Sequence, residues 1–165
     1  CATSRMGHDL ADEAGQRCFE SAVGEANVVD MMLAQKAGFG GEGNGGPIDP
    51  RVGLIRDSFV GMVRVLALMV QENRPIEDIA NDIPSYAIYK DKAPLDGMDA
   101  PTIFAELTKR FPDASADQTD GLKLRWPNGD WLLVRASNTE PIIRAIAETK
   151  SLADSKELCQ RALGN

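Results

Sequence analysis

The sequence predicts an α/β unit followed by a smaller α+β unit. Helical apolar spacing dominates the first half, the pattern changes beyond Pro84, and GLKLRWPNGDWLLVRAS, residues 121–137, reads as a β-hairpin. At 165 residues the chain has room for one large domain or two small ones, and its 43% hydrophobic and 26% charged content is that of an ordinary globular protein. The spacing places a boundary near residues 81–85 and gives units spanning 1–82 and 85–165.

In the first unit a helix is expected from about Ser4 to Gly15, with Ser4 as N-cap and Gly15 as stop. RCFESAV, residues 17–23, is a short strand candidate. EANVVDMMLAQK, residues 25–36, repeats apolar residues at Val28, Val29, Met32 and Leu33 and is read as a helix. A long helix is expected from about Arg51 to Asn73, ended by Arg74-Pro75, and a short one from Ile76 to Asn81. An opening strand is lacking from this α/β unit.

In the second unit SYAIYKDK is a strand, APTIFAELTKRFP a helix of about three turns, and PIIRAIAET another strand. The hairpin turns at Pro127-Asn128-Gly129-Asp130, with glycine where a positive φ is wanted. An amphipathic helix from Ser151 to Leu163 completes a small antiparallel sheet backed by two helices.

A net charge of −7 argues against a nucleic-acid footprint, which needs clustered Lys and Arg. The most apolar stretch, Val52 to Val70, carries Arg56, Asp57 and Arg64, so it reads as a core helix and no membrane partner is expected. Cys1, Cys18 and Cys159 are scattered without metal-like spacing and read as reduced thiols of a cytoplasmic protein. The N-terminal stretch has no apolar h-region and no initiator Met, and it is read as the start of a fragment whose upstream portion is absent.

Two loops carry candidate chemistry. In GFGGEGNGGPIDP, residues 38–50, Gly41, Gly43 and Gly46 match the dinucleotide fingerprint, G-x-G-x-x-G. That fingerprint needs a helix opening at its last glycine, and Pro47 and Pro50 disfavour one. Glu42 and Asn44 suit sugar hydroxyls better than a phosphate, which the carboxylate would repel. The second loop, RASNTEP, residues 135–141, gathers anion donors: Arg135 for a charge-assisted fork, Ser137 and Thr139 for oxygen contacts, Asn138 for side-chain or backbone N–H. An ordinary polar turn is the plainer reading of the same composition. Arg144 either points back to the same anion or is solvated.

GGEGNGG followed roughly ninety residues later by VRASNTEPIIRAIAE resembles the α-D-phosphohexomutases, the phosphoglucomutase, phosphomannomutase and phosphoglucosamine mutase family. TSR at residues 3–5 and AVGEANVVDMM also look like that family's third domain. The resemblance spans essentially the whole chain and implies most of a mixed α/β third domain followed by the α+β fourth. It implies that Glu42 and Asn44 bind sugar hydroxyls, and that Arg135, Ser137, Asn138 and Thr139 bind phosphate. Gly46 stands where some members have histidine, which together with Asn44 looks more like the phosphoglucosamine mutase side.

The family's phosphorylated catalytic serine lies in a motif resembling T-A-S-H-N-P and its magnesium in a D-G-D-G-D-R-like loop, and neither occurs in these 165 residues. The resemblance therefore implies a C-terminal part of a mutase that converts hexose 1-phosphate to 6-phosphate through a bisphosphosugar. No catalytic residue or metal site is expected in this part; Mg2+ and the upstream domains of the same polypeptide would supply them. A non-catalytic sugar-phosphate-binding module is the alternative.

Overall fold

The computed structural model describes residues 2–43, 45–95, 97–137 and 139–164. They fall into two compact units, Ala2–Pro84 and Ser85–Asn165.

The first unit opens with α1 (Met6–Glu13), begun by the Ser4 hydroxyl, which accepts the Met6 N–H at 3.2 Å, and steadied by an Arg5–Asp9 ion pair at 3.0 Å. The strand expected at residues 17–23 is not formed. A strand's alternate N–H and C=O groups need a neighbouring strand, and among the described residues this segment has none. Helix α2 (Glu25–Gln35) ends in a left-handed Lys36, and of its side chains only Met32 is buried. Two very short strands, β1 (Gly40–Gly41) and β2 (Pro47–Ile48), follow and pair antiparallel.

Helix α3 (Ser58–Glu72) starts seven residues later than Arg51, where the sequence pattern placed it. The reason is local. Val52 and Gly53 give their N–H groups to the Asp49 carbonyl at 2.9 and 3.0 Å, closing a separate turn. Asp57 then caps the helix, its carboxylate accepting the Phe59 and Val60 N–H groups at 2.9 and 3.2 Å. The helix ends in a left-handed Asn73, and α4 (Ile76–Asn81) follows Pro75. No side chain of α3 is buried: Phe59, Met62, Val63, Leu66 and Val70 form an exposed apolar stripe.

The second unit contains β3 (Ala87–Pro94), α5 (Ala100–Arg110), β4 (Ser115–Asp117), β5 (Leu122–Arg125), β6 (Trp131–Ala136), β7 (Ile142–Thr149) and α6 (Leu152–Leu163). The five strands form one antiparallel sheet in the order β3-β7-β6-β5-β4. This is the α+β arrangement the alternation predicted, with β4 added as a short polar edge strand that three residues of SAD do not announce. The core lies on one sheet face, where Leu122, Leu124, Leu132, Val134, Ala145 and Ala147 meet Ile103, Leu107 and Phe111 of α5 and its end and Leu158, Cys159 and Ala162 of α6. Both helices are capped, α5 by Asp99 on the Thr102 N–H at 2.9 Å and α6 by Ser151 on the Asp154 N–H at 3.1 Å. The β5–β6 turn closes with Gly129 N–H on the Trp126 carbonyl at 3.0 Å and Gly129 at φ 94°.

Candidate substrate-binding loops

The β1–β2 ladder, Gly40 opposite Ile48 and Gly41 opposite Pro47, pins the two ends of the glycine loop and leaves residues 42–46 at its tip. No helix opens at Gly46; the chain enters β2 instead. The next helix N-terminus, that of α3, has its first N–H groups occupied by the Asp57 carboxylate. With a carboxylate already on its Phe59 and Val60 N–H groups, that terminus does not favour an added anion, and the dinucleotide reading fails on geometry as well as on sequence.

Glu42 is largely buried, and both its oxygens are engaged: Oε1 accepts the Gly24 N–H at 3.0 Å, and Oε2 meets Arg56 Nη1 at 2.9 Å. Asn44 lies outside the described residues. Arg56 also donates through Nε to Glu25 Oε2 at 2.7 Å, and this contact holds the Glu25 carboxyl below its ordinary range. Gly46, at φ 84°, lies under the Arg56 side chain; a Cβ there would meet Arg56 Cβ at 2.9 Å and Cδ at 3.0 Å. A second carboxylate, Asp49, is buried beyond β2 and binds Arg51 through Nε at 3.0 Å and Nη2 at 2.9 Å, and also binds Arg64. This arrangement ties the exit of the loop to α3.

In the second unit residues 137–141 connect β6 to β7, and the Ser137 N–H closes the loop on the Ile142 carbonyl at 3.0 Å. The Ser137 and Thr139 hydroxyls face each other at 3.4 Å, and the Thr139 N–H also lies 3.4 Å from Ser137 Oγ. These are long contacts, so the groups are weakly held and available to a better acceptor. Asn138 lies outside the described residues. Arg135 stands at the end of β6, directly opposite Arg144 of β7. Directly opposed residues project from the same sheet face, where like charges repel. The pair is partly neutralised by Asp120, 3.3 Å from Arg135, and Glu140, 3.5 Å from Arg144. The sequence left Arg144 open; the register puts it beside Arg135.

Three contributors escaped the sequence reading: Arg56, Asp120 and Gly121. Gly121, at φ 76°, precedes β5, and a Cβ on it would come within 2.5 Å of the Val134 carbonyl oxygen and 2.8 Å of Arg135 Cβ. The Asp-Gly dipeptide ahead of the alternating run was the available signal. Arg56 had none, because its partners are distant in sequence. Among the described residues no group of three or more His, Cys, Asp or Glu could hold a metal ion. No described helix is long and apolar enough to cross a membrane.

Comparison with known proteins finds matches along both units. Residues 1–86 match the family model for the phosphoglucomutase/phosphomannomutase alpha/beta/alpha domain III, and residues 94–164 match that family's C-terminal domain. The chain belongs to the phosphoglucomutase/phosphomannomutase family. It is 32% identical over 158 residues to a phosphoglucomutase/phosphomannomutase of Thermococcus kodakarensis, covering 94% of this chain and 34% of that protein. A phosphoglucosamine mutase of Methanocaldococcus jannaschii is 31% identical over 148 residues, covering 86% of this chain and 32% of that protein. The crystal structure of a Burkholderia thailandensis phosphoglucomutase/phosphomannomutase family protein shares the fold, with a TM-score of 0.73 at 22% identity over 94% of this chain and 34% of that one. The chain thus spans about a third of the length of the curated relatives it matches.

Proposed function

We propose that this chain is the substrate-gripping part of a longer phosphohexomutase that interconverts hexose 1-phosphates and 6-phosphates through a bisphosphosugar. Arg135, Ser137, Asn138 and Thr139 hold the phosphate that is not reacting, and Glu42 and Asn44 hold vicinal hydroxyls of the sugar. The observation that supports this most is the Arg135–Arg144 cross-strand pair, two like charges set side by side next to weakly engaged hydroxyls. An anion relieves that repulsion and accepts from both guanidinium groups. A polyol suits Glu42 because each of its oxygens, with one donor already bound, retains a lone pair for a hydroxyl.

The intermediate must present either phosphate to the reacting centre. A fixed anion nest with a separate hydroxyl clamp accepts both orientations, since vicinal hydroxyls roughly exchange places when the sugar turns over. The phosphorylated serine and the Mg2+ that stabilises the transferring phosphoryl group are assigned to upstream domains of the same polypeptide. This chain's residues bind and orient the substrate; alone, the chain is expected to show no turnover. The phosphosugar is the proposed partner and the cytoplasm the proposed compartment.

The test is Arg135→Ala in the complete mutase that carries this sequence. Loss of a charge-assisted contact, about 1.5–3 kcal/mol, weakens phosphosugar binding about ten- to a hundredfold. Unchanged affinity would refute the phosphate assignment.

A further inference from the structure

We infer that Arg56 is a positioning residue for the sugar clamp: a single guanidinium that fixes the Glu42 carboxylate in the orientation from which it meets substrate hydroxyls. The inference rests on the reading of Glu42 as a hydroxyl acceptor. It adds a residue that neither the loop motif nor the family match assigns.

The geometry is that of a bracket. Arg56 Nη1 reaches Glu42 Oε2 at 2.9 Å while Nε reaches Glu25 Oε2 at 2.7 Å, so one planar group spans two carboxylates from different segments. The Arg56 backbone N–H adds a contact to the same Glu25 oxygen at 3.3 Å. The stem packs on Gly46, where a Cβ would come within 2.9 Å of it. Arg56 therefore touches both sides of the loop tip, Glu42 by charge and Gly46 by packing. Its own backbone is rooted where it precedes Asp57, whose N–H binds the Pro47 carbonyl of β2 at 2.9 Å and whose side chain caps α3.

Two consequences follow for Glu42. With Oε1 on the Gly24 N–H and Oε2 on Arg56, the carboxylate plane cannot rotate without breaking a charge-assisted bond. With its side chain only 12% exposed, it faces little competition from water for the lone pairs that remain. Lysine cannot substitute fully, because one ammonium on a flexible stem does not make the two-pronged contact of a guanidinium. Glu25 has a supporting part: it anchors the second prong and keeps Arg56 from swinging out with the loop.

A double-mutant cycle in the complete mutase tests this, with Arg56→Met, Glu42→Gln and the pair, plus Arg56→Lys. Each variant is read by KM and kcat for hexose 1-phosphate and by inorganic phosphate affinity. Methionine keeps the apolar stem over Gly46 and removes only the fork. The expected result is that Arg56→Met and Glu42→Gln each raise KM by roughly tenfold or more, since each removes charge-assisted contacts. The double variant is expected to be no worse than the worse single one, because both changes act through one carboxylate. Arg56→Lys falls between wild type and Arg56→Met, and phosphate affinity stays within about twofold throughout.

Wild-type KM in Arg56→Met would overturn the proposal, as would effects that multiply in the double variant. An Arg56→Met protein that does not unfold cooperatively, paired with Arg56→Lys at wild-type KM, would also overturn it. Wild-type KM in Glu42→Gln is a separate outcome: it refutes the hydroxyl-clamp reading itself, and with it the premise for Arg56.

Discussion

Replacing Gly121 with alanine tests whether the base of the loop at residues 137–141 is built as described. Gly121 sits at φ 76°, a conformation that costs an L-residue about 1–2 kcal/mol. The added methyl would also lie 2.5 Å from the Val134 carbonyl oxygen and 2.8 Å from Arg135 Cβ. The first neighbour is backbone in the middle of a paired strand and cannot swing aside, so β5 and β6 must separate locally, at about a further 1–3 kcal/mol. The expected loss is thus about 2–5 kcal/mol. Gly97→Ala is the control: φ is 79° but no described residue comes within 4 Å of its Cβ position, so only the conformational cost of about 1–2 kcal/mol applies.

The assay is urea unfolding followed by tryptophan fluorescence. Both tryptophans of the chain, Trp126 and Trp131, belong to the second unit, so the signal reports that unit alone. Gly121→Ala should lower the midpoint well beyond Gly97→Ala at unchanged slope. Equal losses in the two variants, or a Gly121→Ala protein within about 0.5 kcal/mol of wild type, would refute the close approach.

Asp49 has its carboxyl held below the ordinary aspartate value by hydrogen bonds from Arg51, against the opposing effect of burial. A lowered folded-state pKa gives stability that is complete above about pH 3.9 and is lost as pH falls through the folded value, so Asp49→Asn should flatten the fall in the urea midpoint between about pH 4 and pH 2, followed by far-UV circular dichroism. An undiminished slope would contradict this. The Cys159 thiol is pushed up to about 11, chiefly by burial, so about one molecule in a thousand carries the thiolate at pH 8. Peptide mapping after iodoacetamide should find Cys159 unmodified in native protein and modified in urea; equal rates would show that the thiol is not enclosed. Asp120→Asn in the complete mutase should tighten inorganic phosphate binding by about two- to tenfold, since it removes a carboxylate that competes for Arg135. Weaker binding would mean that Asp120 orients Arg135 rather than competing with an anion.

The second unit was more legible in the sequence than the first, for physical reasons. Alternation at Leu122, Leu124, Leu132 and Val134 reflects one buried sheet face, and Asn128-Gly129 names its own turn, so β5 and β6 followed from local pattern. Ser115–Asp117 carries no alternation because an edge strand buries little, and β4 was missed. In the first unit RCFESAV has the composition of a strand, but strand formation depends on a neighbour that composition does not report. The start of α3 was misplaced because apolar spacing runs unbroken through Val52, Leu54 and Ile55. The cap that sets the true start is Asp57, and the Asp49 carbonyl diverts the residues before it. In the loops, residue types were readable and partners were not. Glu42 stood out as a lone carboxylate among glycines, yet its contact to Arg56 depends on how β2 and the start of α3 place that side chain.

Those partners show why a glycine fingerprint alone does not define what a loop binds. In any such loop, glycines let backbone or a neighbouring side chain come close, and at Gly46 the visitor is the Arg56 stem. What differs is the sign of the group left to meet a ligand. Beside Glu42 and Gly46 the Arg56 guanidinium is already shared between Glu42 and Glu25, so the proposed ligand there meets acceptors. Beside residues 135–141 two guanidiniums stand together, Arg135 with Asp120 at 3.3 Å and Arg144 with Glu140 at 3.5 Å, and on the proposed reading an anion competes with these long contacts. In each loop the charged side chain is paired with a counter-charge. On the proposed reading, loops so compensated suit ligands of opposite character, a polyol in one and an anion in the other.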